Sequence, residues 1–193
     1  MVSYAYEVPS IRKFNAFRRI PGAMTDGWRL AGDTMFQSGF PIGLSASSNR
    51  SLICFGAFSF YGCPDRPNVV GPVTLANPRT SSYVNQVVNP SNTTPQDHYF
   101  FDPNSFTRET PGVLGNAGRN FFHGPGINNT DLGIYKDTKI TEAVKVELRF
   151  EFFNIFNHTQ FLNPSGNIDS VNFGRVLSAR DPRIIQLAAK FIF

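Results

Sequence analysis

Two glutamates, Glu147 and Glu151, are four positions apart in a segment where charged and apolar residues alternate. Paired carboxylates could act as the acid and base of a glycosidase. Four residues of extended strand cover roughly 13 Å, whereas glycosidase carboxylates lie about 5–9.5 Å apart. Together with Lys145 and Arg149, the glutamates form a ladder of alternating charge. Such a ladder is typical of a strand face that lines a water-filled lumen and whose side chains pair with those of neighbouring strands.

Other residues that could carry chemistry are scattered. His98, His123 and His158 are isolated in the sequence, without the spacing of a zinc site. No serine lies in a Gly-x-Ser-x-Gly motif, and the glycine-containing segment 115–119 lacks the lysine and hydroxyl of a phosphate loop. We therefore predict that the chain is not an enzyme and holds no metal or cofactor.

The elements that position these residues are strands. The clearest, 143–155, places Val144, Val146, Leu148, Phe150 and Phe152 on one face and the charge ladder on the other. Such alternation is the signature of a strand with two different faces. The further predicted strands are 2–8, 27–39, 126–137 and 183–193. The prediction of strand 27–39 is weaker, because Gly32 and Asp33 interrupt it.

The terminal strand carries Ile185, Leu187, Phe191 and Phe193 on one face. Its eleven residues span about 36 Å, enough to cross a bilayer at a tilt. Soluble proteins avoid ending on a bare apolar strand, whereas in a closed barrel the last strand pairs with the first strand.

The connections alternate in length, since 40–125 and 156–182 are long and 138–142 is short. Outer-membrane barrels have long external loops and short periplasmic turns. We predict an all-β fold: about five antiparallel strands of a transmembrane β-barrel, with 40–125 and 156–182 as long external loops. Connection 9–26 is longer than this scheme expects and is either an ordinary loop or a short interfacial helix.

The composition agrees with strands and turns, with 20 Phe, 16 Gly, 14 Pro and only 17% charged residues. The net charge is +4 and the pI is near 9.3. The basic residues do not form one long tract and no nucleic-acid-binding motif accompanies them, so no nucleic acid is predicted as a partner. The start of the chain lacks the features of a signal peptide, and we expect a fragment, a truncated reading frame or a wrong start site.

Several segments resemble the C-terminal end of TonB-dependent outer-membrane receptors, in the subgroup with an N-terminal carboxypeptidase-regulatory-like domain. They are residues 27–41 (GWRLAGDTMFQSGFP), 118–126 (GRNFFHGPG), 149–158 (RFEFFNIFNH), 172–175 (NFGR) and 181–183 (DPR), followed by the terminal strand.

This resemblance implies a barrel of 22 strands around a plug, located in the outer membrane, with uptake driven by an inner-membrane energy complex. Residues 1–193 would form the C-terminal part of the barrel, without a plug, and solute uptake would belong to the full receptor. Ile185, Leu187, Phe191 and Phe193 look like the signal that the barrel-assembly machinery reads. The other expected partners are outer-membrane lipid and the rest of the barrel and plug; the ligand stays open.

Two alternatives remain open from the sequence. The rival fold is a soluble β-sandwich binding module, such as a carbohydrate-binding one, in which the apolar face of 143–155 would pack in a core. Cys54 and Cys63 either form a disulfide within an external loop, which an oxidising envelope favours, or stay as two thiols.

Overall fold

The computed structural model describes residues 1–10, 21–52 and 65–193. Eleven strands and one short helix carry the fold in this part of the chain. They are, in order, β1 (Val2–Val8), α1 (Gly22–Thr25), β2 (Trp28–Gln37), β3 (Pro41–Ile42), β4 (Asn68–Val69), β5 (Ser82–Tyr83), β6 (Gln96–Asp97), β7 (Phe106–Thr107), β8 (Phe122–His123), β9 (Ile127–Lys139), β10 (Lys145–Phe153) and β11 (Ile184–Ile192). No helix within these ranges is long and apolar enough to cross a membrane.

The five long strands form one antiparallel sheet in the order β1-β2-β9-β10-β11. Each coincides, within two residues at either end, with a strand predicted from the sequence. The sheet is open, because β1 and β11 each pair on one side only among the described residues. The all-β antiparallel prediction is therefore confirmed, while the number of strands in a complete barrel stays a prediction.

Strand β2 runs without interruption, although Gly32 and Asp33 weakened its prediction. Gly32 lies beneath the side chain of Tyr4 from β1, and a Cβ there would come within 2.8 Å of the Tyr4 hydroxyl. The glycine thus makes room for an aromatic ring that covers the backbone, a device that compensates for glycine in a strand.

Strand β10 ends earlier than predicted because the backbone turns at Asn154, where φ is +53°. Its side chain accepts a hydrogen bond from the His158 amide (2.9 Å) and donates one to the His158 carbonyl (3.0 Å). Its own amide donates to Asp131 of β9 (2.8 Å). Asparagine tolerates the left-handed region and replaces backbone partners with its side chain, so the turn is encoded locally.

Two compact units divide the chain. The long-stranded sheet belongs to the first, and residues 38–126 and 161–180 form the second. The second unit holds three two-stranded ribbons, β3–β8, β4–β7 and β5–β6.

The external location of segment 40–125 stays a prediction, and its described residues include short strands. The segment contains fully buried aromatic residues, with Phe101 at the centre of the cluster. The Phe101 ring meets those of Phe106, Phe122 and Phe173 edge to face, at centroid distances of 5.0–5.4 Å. Such contacts add stability beyond the burial of area. The sequence did not reveal this aromatic cluster, because its phenylalanines are spaced without a period of two or of 3.6 residues.

Candidate functional site

The registers of the sheet place every second residue of each long strand on a common face. One row across all five strands consists of Tyr6, Leu30, Ile134, Phe150 and Leu187. The next row is Tyr4, Gly32, Leu132, Phe152 and Ile185. The first unit thus presents one continuous apolar face, part of it open, since Leu187 is 68% exposed and Phe191 63% exposed.

One lysine lies on this apolar face. Lys136 is paired with Trp28 in register and is 5% exposed, with its ammonium 5.7 Å from the centre of the Trp28 ring. The ammonium donates to the carbonyls of Asp26, two residues before β2 begins, and of Asp137, two residues before β9 ends. A lysine that directs its charge to the end of a strand while its stem covers apolar surface is compatible with an apolar face.

The opposite face carries the residues of the predicted charge ladder, and two of them, Glu147 and Arg149, contact each other. Glu147 accepts a hydrogen bond from the guanidinium of Arg149 on the same strand. Arg29 from β2 lies 3.8 Å from the other oxygen of Glu147. The structure therefore shows the ion pairing expected of the ladder, with one partner, Arg29, that the sequence reasoning missed.

Tyr135 of β9 lies between the two arginines. In register, Arg29 pairs with Tyr135, and Tyr135 pairs with Arg149. The two guanidinium carbons are 5.0 and 6.0 Å from the centre of the Tyr135 ring, within the range of cation–π attraction. The Tyr135 hydroxyl donates to Glu151 (3.3 Å). This row of Arg29, Tyr135 and Arg149 is the centre of the polar face.

The position of the Tyr135 ring depends on a glycine. A Cβ at Gly133 would lie 2.6 Å from the ring, which therefore rests directly on the glycine backbone. Glu151 is the register partner of Gly133, so the tyrosine reaches diagonally across to it. The pattern of alternation placed Tyr135 on the polar face, but only the register shows its partners.

Strand β11 extends both faces. Lys190 is opposite Glu147 and Gln186 is opposite Glu151, on the polar side. Ile185, Leu187 and Phe191 are on the apolar side. An outer-membrane strand alternates in this way between lipid and lumen.

A protein-family model described as an outer membrane beta barrel domain matches residues 1–186. The chain belongs to this family. No curated protein and no solved structure matches it. Membership of the outer-membrane barrel family, with the antiparallel sheet and its two faces, supports the outer membrane as the location of the protein.

The remaining predicted residues of this barrel domain lie apart from each other. His98 binds the Pro78 carbonyl through Nδ1 (3.0 Å), and His158 contacts Gln160 (3.2 Å). No group of three metal-ligating side chains occurs in the described ranges. Cys54 and Cys63 lie outside the described residues, and their disulfide stays a prediction. The assembly role of Ile185, Leu187, Phe191 and Phe193 also stays a prediction.

The second unit of the barrel domain contains a buried acidic pair that the sequence did not reveal. Asp65 and Glu109 are each 1% exposed. Burial raises the pKa of Glu109, and the neighbouring charge of Asp65 adds to the rise. Burial also acts to raise the pKa of Asp65, but hydrogen bonds from the Ser51 hydroxyl and amide outweigh it and hold the pKa below its ordinary value. The buried pair therefore combines one carboxyl whose pKa is lowered with one whose pKa is raised.

Proposed function

We propose that the chain is the C-terminal barrel portion of a TonB-dependent outer-membrane receptor, in the subgroup with a carboxypeptidase-regulatory-like domain. The observation that supports an outer-membrane role is the sheet with one apolar and one polar face, in a chain of the outer-membrane barrel family. The receptor subgroup is supported by the sequence resemblance alone, above all by segments 27–41 and 149–158.

In this proposal the chain contributes sealing strands and outer segments, and solute uptake is a property of the full receptor. The apolar face of the sheet contacts outer-membrane lipid. The row of Arg29, Tyr135 and Arg149 faces the lumen, where an ion-paired and hydrated network is tolerated. The partners are the barrel-assembly machinery and the remaining barrel and plug, and the chain itself performs no catalysis.

The structure gives local reasons for two of the resembling segments. Segment 149–158 combines the lumen-facing Arg149 with the turn at Asn154. In segment 172–175, Phe173 is fully buried, Gly174 adopts a φ of +84°, and Arg175 donates to the Asn172 side chain (2.8 Å). Both segments therefore combine a conformational requirement with a packing requirement.

The DNA immediately upstream of Met1 provides the test of the receptor proposal. We expect an in-frame continuation that encodes a plug and the earlier strands of a barrel. In cells producing the resulting protein, the chain should be found in the outer-membrane fraction. A stop codon directly upstream, together with recovery of the chain in the soluble fraction, would contradict the proposal.

The soluble sandwich is the competing function. It requires the apolar face to be covered by a second sheet, and the exposure of Leu187 and Phe191 does not favour it. A folded, monomeric chain in water without detergent would decide for the sandwich.

A further inference from the structure

The second unit contains a cavity of about 360 Å³ with two arginines in its wall, Arg50 and Arg108. The cavity is also lined by Gln86, Thr107, Val87 and Phe106, and no carboxylate lines it among the described residues. Its wall therefore combines two cations with neutral polar groups and an apolar part.

Each of the two guanidinium groups is held in place through its own Nε atom. The Nε of Arg50 donates to the backbone carbonyl of Glu109 (3.2 Å), and the Nε of Arg108 donates to Asp169 (2.6 Å). Arg108 and Glu109 are consecutive and directly follow β7, so Arg50 is held against the segment that carries Arg108. Their orientation is set by the protein before any ligand arrives, which reduces the entropic cost of binding.

The Nη groups of both arginines have no hydrogen-bond partner in the part of the chain that the structure describes. The side chains of Arg50 and Arg108 are 42% and 33% exposed, so these donors are accessible. A guanidinium with free Nη donors matches the two oxygens of a carboxylate or phosphate.

Each arginine has one carboxylate near its Nε, and neither carboxylate lines the cavity. Asp169 accepts from Arg108 and also from the amides of Ser47 (2.8 Å) and Ser48 (3.4 Å). The Glu109 carboxyl lies 4.0 Å from the Nε of Arg50. The cavity wall itself therefore holds two cations and no carboxylate among the described residues, while Asp169 and Glu109 lie outside that wall.

We propose that this cavity is a binding site for a small soluble organic anion, whose carboxylate or phosphate group accepts hydrogen bonds from the Nη groups of Arg50 and Arg108. Val87 and Phe106 contact the apolar part of the ligand. Binding at this site does not depend on transport, so the proposal stands or falls separately from the receptor function.

The test uses outer membranes from cells that produce the full chain. Phenylglyoxal modifies accessible guanidinium groups, and mass spectrometry of the peptides reports each arginine separately. Inorganic phosphate and succinate are the two probes, each compared with sodium chloride at equal ionic strength. Arg119, which is exposed and does not line the cavity, is the internal control.

We expect phosphate or succinate to slow the modification of Arg50 and Arg108 saturably, by about fivefold or more, without affecting Arg119. The more effective probe identifies the anionic group. Absence of protection by both probes, or equal protection of Arg119, would overturn the proposal.

Charge-conserving variants give a second measurement. Arg50→Lys and Arg108→Lys keep the charge but remove the two-donor fork. Each should therefore weaken the binding of labelled phosphate or succinate about tenfold. The matched control Arg119→Lys should bind as the unchanged chain does. Unchanged affinity in the double variant of Arg50 and Arg108 would overturn the proposal, and the protection experiment decides the matter if that variant does not fold.

Discussion

In the proposed orientation of the sheet, single residues distinguish the lipid-facing side from the lumen-facing side. Phe150 belongs to the apolar row that crosses all five strands, whereas Glu147 pairs with two arginines on the opposite face. A charge introduced on the lipid side near mid-bilayer costs about 2–4 kcal/mol, and changes on the lumen side are milder. The two residues are close in sequence and therefore make a matched comparison.

We predict that Phe150→Arg reduces assembly of the full barrel more strongly than Glu147→Gln. The measurement is the amount of folded barrel recovered in outer membranes at equal expression. Equal effects of the two variants would mean that the faces are wrongly assigned.

The buried carboxyl of Glu109 makes a prediction about pH. Its folded-state pKa is raised above its ordinary value of 4.5, so the folded state retains the proton longer than the unfolded state does. The resulting stabilisation is complete below about pH 4.5 and is lost as the pH rises through the folded-state pKa. The pKa of Asp65 is lowered, so its own contribution is lost only on acidification below its ordinary value of 3.8.

Hydrogen exchange of the backbone amides around β7, corrected for intrinsic rates, should therefore show stronger protection at pH 5 than at pH 8. Glu109→Gln should remove this difference and stabilise the unit at pH 8 by about 1–3 kcal/mol. Asp97→Asn, at an exposed position of the same unit, is the control and should leave the pH dependence unchanged. A pH dependence that survives in Glu109→Gln would assign it to another group.

At the scale of elements, one residue contributes to the turn after β10 in two ways. Asn154 supplies both a left-handed backbone conformation and side-chain hydrogen bonds to His158. Glycine can adopt this conformation but lacks the side chain, whereas alanine lacks both advantages.

We predict that Asn154→Gly destabilises the folded barrel and that Asn154→Ala destabilises it by about 1 kcal/mol more. Urea unfolding of the barrel in detergent micelles measures both variants under the same conditions. If alanine is tolerated as well as glycine, the conformation of residue 154 does not limit the turn.

The elements also show how far the sequence predicts the fold. The alternation in segment 143–155 was sufficient to locate β10 and to assign both of its faces, because a period of two is a local property. The partnership of Arg29 with Glu147 was not predictable, since it depends on the register of two intervening strand pairings. The aromatic core around Phe101 was missed for a related reason: its members come from distant, irregular segments. Arg50 and Arg108 also come from distant segments, so no sequence pattern indicates that they line one cavity.

At the scale of the whole molecule, the exposed apolar face and the two open edges of the sheet determine how the chain behaves in water. Leu187 and Phe191 are among the exposed apolar residues, and β1 and β11 each offer an unpaired edge among the described residues. Exposed edges and apolar patches promote aggregation.

We therefore predict that the chain, expressed alone, aggregates in water and disperses when a mild detergent is present. Size-exclusion chromatography with light scattering distinguishes the two states. A monomer that melts cooperatively in buffer without detergent would contradict the barrel assignment.

Lys136 has a consequence for the thickness of membrane that this sheet can occupy. On the apolar face of β9, Lys136 and Asn128 are separated by eight residues, about 26 Å along a strand, or roughly 20 Å across the membrane at a tilt near 40°. Hydrocarbon deeper than this interval would draw the ammonium away from the Asp26 and Asp137 carbonyls, at a cost that grows with each ångström of mismatch. In the proposed orientation, with the apolar face in lipid, the sheet thus fits a thin bilayer such as the bacterial outer membrane.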